Sequence, residues 1–332
     1  MKPCVVVTQR IHPEIRDMLA AEADVIANEA TDPWPRPRLL ELARDADALM
    51  VFMPDSMDEE FLAACPRLKI VAAALKGADN FAIEACTRRG VWFTLVPDLL
   101  TEPTAELALA LMLALARNVL AGDRHVRGGG FHGWRPMLYG TGLAGTTAGI
   151  VGFGRVGRAL TRMLKGFDCR LLFSDRRDQP PESGAAAASF EQLVAASDFV
   201  LPLVPLTPDT FHMFRRETLA QMKRGAFLIN VCRGSVVDEE AVADALESGR
   251  LAGYAADTFE MEDWARADRP REVSPRLLES DRTLFTPHLG SAVASVRKEI
   301  ERAAASNILQ ALRGERPPGA INDPLRPTRP TC

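Results

Sequence analysis

Three residues in the second half of the chain, Arg233, Glu262 and His288, have types that combine into chemistry. Each stands at or just past the end of an apolar, strand-like run. A planar arginine fork suits a pair of anionic oxygens. A histidine titrates near neutrality and suits proton transfer. A carboxylate beside it can hold the imidazole and raise its basicity. Upstream, Gly152-Phe153-Gly154-Arg155-Val156-Gly157 follows one strand-like run, and Asp175 closes the next. The first glycine of such a turn permits the tight bend, the second admits a pyrophosphate, and the third lets helix and strand pack closely. The helix that follows offers its free N–H groups to phosphates. An acid about 20 residues on is placed for ribose hydroxyls. The set implies hydride transfer between a dinucleotide and a small anion. Of the five histidines, only His288 lies between a strand end and a glycine, where α/β sheets hold ligands.

Asp175 favours NAD, because a 2′-phosphate would meet its carboxylate. Arg176 and Arg177 follow at once. They are either the side of a solvated loop or groups that tolerate that phosphate. NAD is expected first and NADP as a second choice.

These groups need a scaffold of alternating strands and helices. Strand-like runs fall at 4–8, 48–53, 70–75 and 91–95, with helical spacing at 12–21 and 59–64. A second series begins near 147. Its strands are 148–153, 171–173, 199–204, 226–231, 253–257 and 283–286, with helices at 156–165, 190–195, 218–222 and 239–247. The alternation predicts α/β architecture: two similar domains, each a parallel sheet with helices on both faces. A long helix is expected over 104–121 and a closing helix over 293–312. The stretch 176–188 reads as a surface loop, and the proline-rich tail 316–332 as extended.

Bulk properties set limits on function. A chain of 332 residues predicts two domains. A net charge of -4 gives no field for nucleic acid. Six scattered cysteines without a CxxC pair argue against a zinc site or disulfide framework and fit a reducing cytoplasm, so no metal is expected. The N-terminal apolar run is too short for a signal peptide. The longest apolar stretch, 107–116, falls short of the roughly 20 residues needed to span a membrane.

Three segments carry a family resemblance: Cys232-Arg233-Gly234-Ser235-Val236-Val237-Asp238, Asp257-Thr258-Phe259-Glu260-Met261-Glu262 and Thr286-Pro287-His288-Leu289-Gly290-Ser291-Ala292. They resemble the signature blocks of the D-isomer-specific 2-hydroxyacid dehydrogenases, in order and over nearly the whole chain. The resemblance implies two Rossmann-like domains with a cleft between them. The substrate domain, flavodoxin-like, would be 1–98 plus 290–332, and the dinucleotide domain 99–289. It assigns catalysis to Arg233, Glu262 and His288. Its cofactor contacts fall on Leu100, Thr104, the glycine turn, Asp175, Arg176, Val204, Pro205, Val231, Cys232, Asp257, His288 and Gly290. The helix from Thr104 and the loop to Trp134 resemble the family's dimer arm, which implies a homodimer.

Leu75-Lys76-Gly77-Ala78-Asp79-Asn80-Phe81 resembles the family's substrate loop, with a lysine where a small or apolar residue is usual. Lys76 either adds charge for a more highly charged anion or turns out to solvent. Met53-Pro54-Asp55, Gly133-Trp134-Arg135-Pro136, Tyr139-Gly140-Thr141-Gly142 and the run 259–270 are similar to the phosphite (phosphonate) dehydrogenases of this family. That likeness implies oxidation of phosphite to phosphate with NAD and water. It places substrate contacts at Lys76, Gly77, Met53, Arg233, Trp134, Tyr139, Ser291 and Arg297. Trp134 and Tyr139 would wall the site, reach a partner subunit or fill a domain junction, and Arg297 reads equally well as a surface residue of the last helix. The alternatives are a D-2-hydroxyacid dehydrogenase or glyoxylate-type reductase, and an NAD-sensing binding protein without catalysis.

Overall fold

The computed structural model of the protein describes residues 2–96, 98–177 and 184–324. The first strands are β1 (Cys4–Val7), β2 (Asp24–Ala27), β3 (Ala48–Val51), β4 (Ile70–Ala73) and β5 (Trp92–Thr94). They pair in parallel in the order β2-β1-β3-β4-β5. The later strands are β6 (Thr147–Val151), β7 (Arg170–Ser174), β8 (Ala185–Ala187), β9 (Phe199–Pro202), β10 (Ala226–Asn230), β11 (Leu251–Ala256) and β12 (Thr283–Phe285). They form a second parallel sheet, ordered β12-β11-β10-β9-β6-β7-β8. The fold is α/β with two parallel-sheet domains, as the alternation predicts.

Chain contacts divide the molecule into two compact units. Unit 1 holds the residues up to Leu100, the four residues Trp264–Ala267, and those from Ala292 on. Unit 2 holds Thr101–Asp263 and Asp268–Ser291. The breaks fall after Leu100 and Ser291, two residues beyond those expected from sequence. The placement of Trp264–Ala267 in unit 1 departs from the expected division, and within that unit the Ala265 N–H donates to the buried Asn80 Oδ1 at 3.1 Å.

Continuous apolar runs become strands buried on both faces, as parallel sheets require. In unit 1, Val5, Val7, Met50 and Ile70 face Ile300, Ala304 and Ile308 of helix Ala294–Leu312. Leu39, Phe61, Leu62 and Phe93 fill the other side. In unit 2, one face packs Ala105, Ala108 and Met112 with Leu160 and Leu164. The opposite face packs Leu193, Leu219, Val242 and Leu246. Short helices start at polar caps: Asp58 accepts from the Phe61 N–H at 2.8 Å, and Asp238 from the Ala241 N–H at 3.0 Å.

Two expectations about elements need correction. The helix expected over 104–121 is two helices, Thr101–Ala116 and Val119–Arg127, bent by 64°. Between them Asn118 takes a left-handed conformation, φ 54°, which asparagine tolerates. Its Nδ2 donates to the Leu138 and Tyr139 carbonyls at 3.3 Å, which fixes the break. The stretch 176–188, expected to be loop, contains the edge strand β8, whose alanines pair with Leu171, Leu172 and Phe173. Among the described residues no single helix is long and apolar enough to cross a membrane. Residues 325–332 of the proline-rich tail lie outside the described residues.

Candidate active site

The order of the second sheet reverses at β6, between β9 on one side and β7 on the other. Open α/β sheets bind ligands outside the carboxyl ends of their strands at such a switch point. The glycine turn follows β6 directly. Gly152 has φ 98°, and a Cβ there would sit 2.6 Å from the Leu203 carbonyl oxygen and 2.9 Å from Val204 Cγ1. A Cβ on Gly157 would sit 2.5 Å from the Gly152 oxygen. A Cβ on Gly154 would meet nothing within 4 Å. The chain itself fills the space at the first and third glycines and leaves the second open. Gly154, at the N-cap of helix Arg155–Leu164, makes no side-chain cap bond of its own. That arrangement fits a pyrophosphate.

Asp175 directly follows β7, one residue past the strand end. Its Oδ2 accepts from the Phe153 N–H at 2.7 Å and its Oδ1 from the Arg177 N–H at 2.9 Å. The carboxylate thus ties the glycine turn to the next strand end. Arg176 pairs with Asp209 at 2.8 Å on the surface. Pro205, past β9, accepts from the Thr210 hydroxyl at 2.7 Å. Val231 is buried in the core, and burial pushes the adjacent Cys232 thiol up to about 11. Thr104 donates to the Gly290 carbonyl at 3.3 Å, bringing two expected cofactor residues together.

Glu262 and His288 form a dyad: His288 Nδ1 lies 2.6 Å from Glu262 Oε2. The other carboxylate oxygen of Glu262 accepts from the Phe259 N–H at 2.9 Å, which fixes its orientation. The partner of Nδ1 leaves Nε2 as the ring nitrogen for a substrate. His288 itself has φ 56°, a left-handed backbone unusual for histidine. Asp257, just past the end of β11, holds it there. The Asp257 carboxylate accepts from Thr286 Oγ1 at 2.6 Å, from the Leu289 N–H at 2.6 Å and from the Gly290 N–H at 2.8 Å, while the His288 N–H donates to the Asp257 carbonyl at 2.9 Å. Burial pushes the Asp257 carboxyl above its ordinary value, against the pull of those donors. Asp257, expected from sequence only as a cofactor contact, therefore also anchors the 286–290 turn.

Arg233 follows β10. Its Nη1 donates to the Cys232 carbonyl at 2.7 Å, and Asn230 Nδ2 donates to the Arg233 carbonyl at 2.9 Å. The next residue must be glycine: a Cβ on Gly234 would lie 1.9 Å from the Phe259 carbonyl carbon. The Arg233 loop and the Glu262 turn thus abut backbone to backbone. Arg233, Glu262 and His288 all rise from carboxyl ends of neighbouring strands, β10, β11 and β12.

In unit 1, Met53 follows β3 and Lys76-Gly77 follows β4, again at carboxyl strand ends. Lys76 is exposed and Met53 half-buried. Arg297 pairs through Nε with buried Glu301 at 2.9 Å, and its guanidinium lies 4.5 Å from the Phe52 ring centroid. Glu301 also accepts from the His12 N–H at 2.9 Å, so Arg297 is held beside the end of β3 rather than loose on the helix surface. Ser291 is the last residue of unit 2 and Leu100 lies at the end of the first stretch of unit 1. Trp134 and Tyr139 are 83% and 78% exposed, so their own chain does not enclose either ring.

Several buried acids carry no sequence signal, because an acid in a loop or at a helix start reads as surface. Asp55 accepts from the Phe52 N–H at 2.7 Å and from the Thr8 hydroxyl, closing the turn that carries Met53. Burial pushes its carboxyl up to about 6. Glu239 and Glu260 exchange contacts: the Glu260 N–H donates to Glu239 at 2.8 Å and the Glu239 N–H to Glu260 at 3.1 Å. Burial pushes Glu239 up to about 7. His212 Nε2 lies 2.9 Å from Glu260.

Residues 109–290 match the family described as "D-isomer specific 2-hydroxyacid dehydrogenase, NAD binding domain". A glyoxylate reductase of Pyrococcus furiosus is 40% identical over 330 residues, covering 97% of this chain and 96% of that protein. One from Thermococcus litoralis is 38% identical, covering 99% and 100%. Among solved structures, a Thermus thermophilus protein aligns with a TM-score of 0.89 at 34% identity, covering 96% of this chain and 99% of that one. An NADPH-dependent glyoxylate/hydroxypyruvate reductase of Sinorhizobium meliloti, solved with NADP and malonate, aligns at 0.82 and 26%, covering 97% of each. The glycine cradle, the charged groups at neighbouring strand ends and these likenesses agree: the chain belongs to the D-isomer-specific 2-hydroxyacid dehydrogenase family, whose cofactor is a nicotinamide dinucleotide.

Proposed function

We propose hydride transfer between a small anion and a nicotinamide dinucleotide, in one of two forms: oxidation of phosphite to phosphate with NAD and water, or reduction of glyoxylate or a similar 2-oxo acid, which the full-length relatives favour. The observation behind the phosphite reading is Lys76, a cation following the carboxyl end of β4. Phosphite is small, tetrahedral and largely doubly charged near neutral pH, so it calls for more positive charge than a monocarboxylate. In this reading the Arg233 fork takes two of its oxygens, and Lys76 offsets the remaining charge. When bound, NAD supplies the hydride acceptor. His288, oriented by Glu262, takes a proton from the attacking water as the new P–O bond forms. The P–H bond breaks with its electron pair, so phosphite, water and NAD+ give phosphate, NADH and one proton. Positioning and charge neutralisation supply most of the acceleration.

The second reading, glyoxylate reduction, has the stronger support from the relatives. The full-length relatives named above are called glyoxylate reductases. In that case Arg233 holds the carboxylate, and protonated His288 gives its proton to the carbonyl oxygen as hydride arrives. Lys76 is then a surface lysine without a substrate role. NADH absorbance decides between them: formation with phosphite and NAD supports the first reading, and consumption with glyoxylate alone supports the second. Binding of NADH with turnover of neither substrate would leave a dinucleotide-binding protein. NADP in parallel assays tests cofactor choice; Asp175 predicts the lower efficiency with NADP.

The exposed apolar residues Val119, Val126, Phe131, Trp134 and Tyr139 fit a second copy of this chain better than water, so the proposed working form is a homodimer. The proposed location is the cytoplasm, where the free thiols at Cys4, Cys65, Cys86, Cys169 and Cys232 would stay reduced.

A further inference from the structure

The two loops that carry Arg233 and Glu262 are tied together one residue beyond the expected chemistry. Asp263, directly after Glu262, is 3% exposed. Its Oδ2 accepts from the Ser235 N–H at 3.1 Å and from the Ser235 hydroxyl. Ser235 is fully buried and stands two residues after Arg233. Between them lies Gly234, pressed against the Phe259 carbonyl. A buried carboxylate is expensive to desolvate unless hydrogen bonds compensate it. A neutral residue would fill this place at lower cost if only packing were needed.

We infer that the Asp263–Ser235 clamp is a positioning device for the reaction. It fixes the Arg233 loop against the Glu262–His288 dyad, so that the anion clamp and the proton acceptor keep one spacing. Neither residue touches substrate in this scheme. The inference rests on the reading of Arg233, Glu262 and His288 as the reacting set.

Several geometric facts favour this role over a purely structural one. The clamp joins carboxyl strand ends, where the chemistry lies, rather than strand bodies, where the core lies. The loops are already joined at the base by the parallel pairing of β10 with β11, so the sheet does not need the clamp to exist. The Glu239–Glu260 exchange secures the same turn from its other side. With that support in place, loss of the clamp should loosen the loops by fractions of an ångström and leave the unit folded.

The test compares Asp263→Ala, Asp263→Asn, Ser235→Ala and the Ser235→Ala/Asp263→Ala pair, with His288→Ala as control. Steady-state turnover is measured on whichever of phosphite or glyoxylate the wild type uses, and NADH affinity by fluorescence titration. The expected result for Asp263→Ala is a fall in kcat of about tenfold or more together with a raised KM for the anion. Its NADH affinity should stay within about threefold of wild type. Asp263→Asn should recover most of the turnover, because its amide oxygen still accepts from both Ser235 donors. Ser235→Ala should lose less than Asp263→Ala, and the double variant no more, because one clamp is broken once. Kinetics of Asp263→Ala indistinguishable from wild type would overturn the inference. So would losses that multiply in the double variant, or NADH affinity falling in step with kcat. If Asp263→Ala does not fold, Ser235→Ala and Asp263→Asn decide by the same criteria. Full turnover in His288→Ala would instead remove the reacting set itself, a separable failure.

Discussion

His288 combines a task and a burden at one residue. Its ring is aimed by Glu262 at 2.6 Å, while its backbone occupies a left-handed region held by Asp257. Removing the imidazole should cost kcat a factor of about a hundred or more, the usual span for a lost general base. Glu262→Gln should cost less, because an amide oxygen still orients Nδ1–H but no longer stabilises the imidazolium. Stopped-flow or steady-state kinetics on either substrate would show the order; equal activity in His288→Ala and wild type would refute the assignment. Asp55 yields a prediction about stability. Its folded value, about 6, lies above the ordinary carboxyl range, so its ionised form costs stability above pH 6. That cost is relieved as pH falls through 6 towards the unfolded value. Between pH 8 and pH 5 the wild type should therefore gain about 1 kcal/mol relative to Asp55→Asn. Urea titrations at the two pH values measure that difference. A flat difference would mean that Asp55 is not buried as described.

At the level of elements, the glycine turn makes a prediction that separates folding from binding. Gly152→Ala and Gly157→Ala force a Cβ into backbone oxygen, at 2.6 and 2.5 Å, and Gly152 is also left-handed. Each should lower the stability of unit 2 by about 1–3 kcal/mol and weaken NADH binding with it. Gly154→Ala meets nothing within 4 Å and should melt like wild type while still binding NADH less well. Thermal unfolding and fluorescence titration together check the contrast. A destabilised Gly154→Ala would show that the open space is not reserved for a ligand. This turn is legible in the sequence because its chemistry demands particular residues after a strand. The strand-end positions of Arg233, Glu262 and His288 are legible for the same reason. Other elements carry no such signal. β8 is three alanines on a sheet edge, with no β-branched residue to mark a strand. β2 begins with an exposed aspartate and is only four residues long, too short for its alternation to stand out. The break at Asn118 lacks glycine or proline, and only its left-handed backbone reveals it. The acids Asp55, Glu239, Glu260 and Asp263 look like solvated surface residues until their burial is known. Periodicity reports which way a segment faces and is silent about polar groups that the core has accepted.

On the scale of the whole molecule, the apolar arm sets an expectation for assembly. Trp134, Tyr139, Phe131 and Val126 are each more than half exposed. Sedimentation of the wild type should show a dimer, and Phe131→Ser/Trp134→Ser should shift it towards monomer. A monomeric wild type at micromolar concentration would sink the proposal. The division of the chain has a practical consequence for anyone wishing to lift the dinucleotide unit out as a reagent. Cutting at Leu100/Thr101 and Ser291/Ala292 is not enough, since Trp264–Ala267 would travel with the fragment while the residues they pack against stayed behind. Ala265 would lose Asn80 as its acceptor, and an indole would be stranded in water. An excised unit that stays soluble should therefore need those four residues replaced by a short polar bridge from Asp263 to Asp268. A graft of this unit onto another scaffold inherits the same requirement.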